Sequence, residues 1–262
     1  WIYNILPFIE QQAVYDLPSD GNASLTSQQR AGAAVLQRTP VPILNCPTRR
    51  PPRAFAYALG PQWNVRNSDT VTEVARSDYA ANAGDGGGNF ADGDDRVQCG
   101  LEFWIRENNT CRMEIAWLLF DYNRLDGKKW PPLDGHTGVN YLGAEIELQQ
   151  ISDGTSNTYM VGEKYVNADF YESDGTADGG DNHSMYQGYD WDVNRWATRD
   201  WPALPDTPGF DGWERFGSAH AGIWNVVMCD GSVRSVSFDM DNQLHQRFAN
   251  REDGLTTDGT AF

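Results

Sequence analysis

Residues 220–238, HAGIWNVVMCDGSVRSVSF, constrain the fold more than any other stretch of the chain. Trp224 to Cys229 is apolar and rich in β-branched residues, as a buried strand requires. Asp230-Gly231 is a two-residue turn signal, and a type I′ turn, with positive φ at both positions, is the expectation. Ser232 to Phe238 returns as a second strand with Val236 and Phe238 on one face. His220 and Asp230 stand at opposite ends of the first strand, roughly 25 Å apart at about 3.3 Å per residue. That separation works against a direct acid–base dyad. Asp230 and Gly231 are expected to shape the turn and His220 to make a structural hydrogen bond. Glu163, which also flanks an apolar strand, is the better partner for His220.

The 262 residues suffice for a sizeable core, and one head spanning 1–262 is expected. Twenty basic against 37 acidic residues give a net charge of −17. This excludes nucleic acid and anionic lipid as expected partners, because phosphate contacts require basic side chains. Solubility explains an acidic surface, and Ca²⁺, which takes carboxylate and carbonyl oxygens, is the sharper alternative. Ten Trp, 11 Tyr, 11 Phe and 26 Gly fit a β-rich extracellular protein better than a cytosolic helical enzyme. No run of 18 apolar residues is present, so no transmembrane helix and no membrane contact by this chain is expected. No signal peptide is recognisable, and the chain opens at Trp1 rather than Met.

Cys46, Cys99, Cys111 and Cys229 contain no C-x-x-C pair, so zinc-ribbon and thioredoxin-like readings lack support. A Cys99–Cys111 bridge would close a short loop and contribute on the order of 3 kcal/mol. Cys46–Cys229 would then be the second bridge. Four reduced thiols are the alternative.

Three parts are legible. Residues 1–40 read as helical: Pro7 opens a helix, Ile9, Ala13 and Leu17 share a face, and Ser27 resembles a capped start. Residues 41–150 are mixed and irregular, with a strand expected where Ile146 and Leu148 alternate. Residues 151–262 are β-rich: an Asp153-Gly154 turn, a strand from Thr158 to Tyr165, a long polar loop from Asn167 to Arg199, the hairpin, and a helix from Asp241 to Asn250 capped by Asp241. Loops this long are expected to be functional or partner-facing.

WIYNILPFIEQQAVYD, CPTRR, SDYAANAGD, ISDGTSNTYMVGEKY, DGGDNHSMYQGYDWDVNRWA and FGSAHAGIWNVVMCDGSVRSVSF follow one another. That ordered set resembles the pilin-like family abundant in planctomycetes, the prepilin-type proteins with a C-terminal H-x9-DG signature (domain of unknown function 1559). The resemblance implies an α+β, pilin- or pseudopilin-like head with an antiparallel sheet, long irregular loops and short helices. Family members usually begin with a hydrophobic N-terminal helix; this chain does not show one, which places filament assembly through that helix in question. The resemblance defines no catalytic residues.

Two acidic loops are candidate Ca²⁺ sites, since pseudopilin heads resembling this family hold Ca²⁺ in a loop. One comprises Asp174, Asp178, Asp181 and Asn182; the other Asp85, Asn89, Asp92, Asp94 and Asp95. Neither matches the D-x-[DN]-x-[DN]-G pattern. Tyr186 to Trp196 mixes aromatics with amides and carboxylates, a composition suited to sugar stacking or to subunit contact. His136, His183 and His245 read as isolated surface residues. Asn22, Asn108 and Asn182 begin sequons. No G-x-S-x-G elbow occurs, and no enzymatic activity is expected. The leading expectation is an exported structural subunit at the cell surface or in an extracellular assembly, meeting copies of itself or other surface or secretion subunits. The alternative is an extracellular solute- or glycan-binding module.

Overall fold

The computed structural model describes residues 1–60, 65, 67–85, 105–107, 110–112, 136–141, 144–176 and 178–255. Its elements are short helices and shorter strands, an α+β arrangement. Helices are α1 (Ile2–Ile5), α2 (Gln12–Tyr15), α3 (Ser27–Arg38) and α4 (Asn242–Ala249). Strands are β1 (Ala54–Ala56), β2 (Glu73–Ala75), β3 (Tyr79–Asn82), β4 (Ile105–Glu107), β5 (Thr110–Arg112) and β6 (Tyr159–Glu163). Then follow β7 (Asn194–Arg195), β8 (Leu204–Pro205), β9 (Gly217–Ser218), β10 (Ile223–Met228) and β11 (Val233–Ser237). Among the described residues no helix is long and apolar enough to cross a membrane.

The central sheet has the order β11-β10-β6-β3-β7, antiparallel except for the β3–β7 pair. Along β10, Trp224, Val226 and Met228 are buried while the intervening residues are not, as the two-residue period demands. These three pack with Tyr159, Phe216, Val236 and α4's Phe248 into the main core. Gly162 sits under that core: a Cβ there would lie 2.5 Å from Trp224 and 3.0 Å from Phe216. The N-terminal helices form a second core, in which Ile2, Leu6, Leu36 and Leu44 meet Ala75, Met185 and Val193.

The hairpin turn differs from expectation. Asp230 does not adopt positive φ; only Gly231 does, at +84°. The loop is Cys229-Asp230-Gly231, closed by Gly231 N–H to Met228 O (2.9 Å) and Met228 N–H to Ser232 O (2.8 Å). A three-residue connection with a left-handed third residue needs one glycine, not two permissive positions. Asp230 instead accepts from the Ser232 amide (2.8 Å) and hydroxyl (2.6 Å).

Helix starts follow the cap chemistry. Thr26, one residue before the expected Ser27, caps α3 in a reciprocal box with Gln29. Asp241 caps α4, accepting from the Gln243 and Leu244 amides. The expected strand at Glu145–Gln149 does not form: a 3₁₀ turn occupies Leu148–Gln150, and Leu148 is exposed. Two alternating apolar residues without a partner strand do not hold an extended segment.

Candidate functional site

Glu163 ends β6, on the face of the sheet opposite Gly162 by the alternation of the pleat. Asn225, next to it on β10, clamps one carboxylate oxygen: the Asn225 amide N–H and side-chain Nδ2 both donate to Oε2, at 2.7 and 3.1 Å. The other oxygen, Oε1, lies 3.0 Å from Nε2 of His220. His220 leads into β10, its backbone N–H donating to Ser218 Oγ at 3.0 Å. Ser218 Oγ in turn donates to the Ile223 carbonyl at 2.8 Å, which folds the approach to the strand back on itself. Cys46 Sγ completes the group, 3.7 Å from the same Nε2. Tyr79, directly opposite Glu163 across the β3–β6 pair, shares its face. Burial, with the charges of Glu163 and Cys46, pushes the Tyr79 hydroxyl up to about 12.

Cys46 opens the CPTRR turn, and the two arginines of that turn anchor it. The Cys46 amide donates to Asp78 Oδ2 at 2.8 Å. Arg49 pairs with Asp206 (2.7 Å) and Asp78 (3.4 Å), and Arg50 with Asp78 (2.8 Å) and with Asp181. Burial acts to lower the Arg49 and Arg50 pKa values, but the surrounding carboxylates overcome it and both rise. Lys164 Nζ donates to Asp181 Oδ1 (2.8 Å) and to the carbonyls of Gly180 and Asp192. The result is a buried ionic layer beside Cys46, Glu163 and His220.

The structure brings His220 and Glu163 together and leaves Asp230 and Gly231 apart from them in the turn. Cys46 and Cys229 are free thiols rather than a disulfide. Cys46 lies by His220, before β10, whereas Cys229 lies beyond the far end of that strand, its Sγ directed at the Tyr159 carbonyl (3.6 Å). The strand itself keeps the two sulfurs apart. Burial, with Asp230, pushes the Cys229 thiol up to about 12. The expected Cys99–Cys111 bridge lies outside the described residues, as do Asn89, Asp92, Asp94 and Asp95.

The acidic loops look different in three dimensions. Asp181 is buried, with both oxygens engaged by Arg50, Arg76 and Lys164; a carboxylate surrounded by three cations does not recruit Ca²⁺. Asp178 accepts from the Gly180 amide (2.9 Å) and Asp174 from Thr176, each closing a local turn. The Asn182 side-chain oxygen is buried without a hydrogen bond. Asp85 accepts from Thr137, Gln246 and Asn250. The two groups of His, Cys and acidic residues whose ligand atoms converge, among the described residues, are Cys46–Glu163–His220 and His183–Asp190–Asp192.

The long polar loop is exposed in its first part, at Asp169, Glu172, Asp174 and Thr176, and buried towards its end. Asp190, Asp192, Asn194, Arg195 and Trp196 are all buried, while Tyr186, Tyr189 and Trp191 are half-buried. His183 and His245 are buried too, contrary to the surface reading. His245 sits among Tyr159, Phe216 and Trp224, and burial holds its pKa near about 3. Neighbours drawn from segments far apart in the chain explain why local composition did not reveal this burial.

An α+β fold in which the H-x9-DG histidine meets a carboxylate and a thiol is the arrangement the residues define. The chain belongs to the family described as protein of unknown function (DUF1559), which it matches over residues 1–243. No curated protein and no solved structure matches the chain.

Proposed function

We propose that this chain is the globular head of an exported, pilin-like structural subunit that assembles at the cell surface or outside the cell. Family membership and the ordered motifs support this reading. The observation that carries it is the β11 edge. β11 pairs with β10 on one side, and no other described strand pairs with its outer side. Val233 on that strand is 69% exposed, and Ser235 and Ser237 are exposed as well. An open strand edge with an apolar side chain is a template for pairing with a neighbouring subunit.

Immunogold electron microscopy of intact cells, combined with protease shaving, tests the reading. Label on surface filaments or lattices is the expected result. Label confined to the cytoplasm would overturn it. Val233→Lys should leave the isolated head folded and abolish assembly, because an edge lysine blocks strand addition.

A further inference from the structure

Three donor atoms of different chemistry, brought from residues 46, 163 and 220, converge beside the ionic layer. Cys46 Sγ, Glu163 Oε1 and His220 Nε2 all lie within 4.8 Å of one another. Nε2 stands 3.7 Å from the sulfur and 3.0 Å from the oxygen. One ring nitrogen therefore faces both neighbours. A nucleophile–base–orienter relay divides those roles between the two ring nitrogens, so this is not a cysteine–histidine–glutamate relay. Convergence of three donors on one point is instead the geometry of a metal shell.

We propose that Cys46, Glu163 and His220 bind a borderline divalent transition metal, Zn²⁺ foremost. Tetrahedral zinc with Zn–S of about 2.3 Å and Zn–N and Zn–O of about 2.0 Å spans edges of about 3.6 Å for S–N and about 3.3 Å for N–O. The observed 3.7 and 3.0 Å differ from these by a few tenths of an ångström, within side-chain adjustment. The donor set selects the class: thiolate and imidazole favour Zn²⁺, whereas Ca²⁺ and Mg²⁺ require oxygen shells. Outer contacts orient the ligands. Asn225 holds Glu163 Oε2 and leaves Oε1 to the metal, while Asp78 fixes the Cys46 backbone. Cys46 and Glu163 are buried, but the His220 side chain is 28% exposed, so the site opens to solvent on the histidine side. On binding, the thiol proton leaves to solvent as the metal–sulfur bond forms. The second convergent group lacks such an opening: His183, Asp190 and Asp192 are all buried, and Asp192 already accepts from the His183 amide at 2.6 Å.

The site does not rest on the assembly reading, since the head can bind metal whether or not it polymerises, and failure of one leaves the other standing. The chain, reduced and stripped with chelator, is titrated with Co²⁺ and then Zn²⁺. One equivalent should bind, with a thiolate-to-cobalt charge-transfer band that Zn²⁺ abolishes. Cys46→Ser and His220→Gln should each lose that band and weaken Zn²⁺ binding by about tenfold or more, whereas Cys229→Ser should keep both. No thiolate band from the wild-type chain, or an unchanged band in Cys46→Ser, overturns the proposal. Should those variants fail to fold, X-ray absorption at the zinc edge of the wild-type chain decides. One sulfur with nitrogen and oxygen neighbours supports the site, and a shell with no sulfur or with several overturns it.

Discussion

Glu163 makes three contacts from a side chain that is almost wholly buried: two hydrogen bonds from Asn225 to one oxygen, and His220 against the other. Gln in its place keeps one acceptor oxygen and puts an amide NH₂ where the second stood, against either the Asn225 donors or the His220 nitrogen. Glu163→Gln should therefore cost about 1–3 kcal/mol, read as a lower urea midpoint by tryptophan fluorescence. Asp181 is the harsher case. Asp181→Asn leaves Lys164 buried without its paired carboxylate and Arg50 with Asp78 alone, and a loss of about 3–5 kcal/mol is expected in the same assay. Asp178 carries a pH signature. Burial, reinforced by Asp181, raises its carboxyl from 3.8 to about 6. A raised carboxyl favours the folded state when protonated, so its contribution is present below about pH 4 and is lost as pH rises through about 6. Asn keeps the acceptor for the Gly180 amide and never ionises. Asp178→Asn should match wild type near pH 4 and exceed it by about 1–3 kcal/mol near pH 7.5. At this scale the sequence reveals residue types and spacing, not neighbours. Favouring a Cys99–Cys111 bridge leaves Cys46 and Cys229 for each other, yet a remainder carries no geometry. Glu163 and His220 are joined in the sequence because both flank apolar strands, but Cys46, more than a hundred residues before Glu163, carries no local signal that links it to them.

At the scale of the element, local rules held where a segment contains its own instructions. β10 and β11 alternate along their length, and Asp241 caps α4 with its own side chain. Even the misjudged turn kept its hairpin, because Gly231 satisfies the one left-handed position the three-residue loop needs. Nothing lies within 4 Å of a Cβ built at Gly231, so substitution there tests backbone conformation alone. Gly231→Ala should cost about 1–2 kcal/mol, measured as a lower thermal midpoint with unchanged circular dichroism at low temperature. Local rules failed where burial depends on distant charge. Residues 167–199 read as a functional or partner-facing loop because they are long and polar. Yet Arg50 and Arg76 reach in from another segment to neutralise Asp181, and Arg195 donates to the Gly180 carbonyl at 3.0 Å. A period or cap at residue 170 or 190 cannot announce a guanidinium at residue 50.

Across the whole molecule, the proposed contact between copies is governed by the charges that are left unburied. Among the described residues, the six buried cations, Arg49, Arg50, Arg76, Lys164, Arg195 and Arg251, are nearly matched by seven buried acidic groups, Asp78, Asp85, Glu163, Asp178, Asp181, Asp190 and Asp192. The formal charge of −17 is thus carried almost entirely by the rest of the chain. Copies of so acidic a head repel one another over a Debye length, about 30 Å at 0.01 M salt and about 8 Å at 0.15 M. A neighbour that pairs with the short β11 edge brings its own acidic surface well inside the longer of those distances. Association through that edge should therefore be suppressed at low ionic strength and grow as salt rises towards about 0.15 M. Sedimentation velocity across a salt series checks this. A shift towards larger species with added salt, lost in Val233→Lys, is the expected outcome. Association that weakens with salt would instead mean that opposite charges hold the copies together, and would move the contact away from β11.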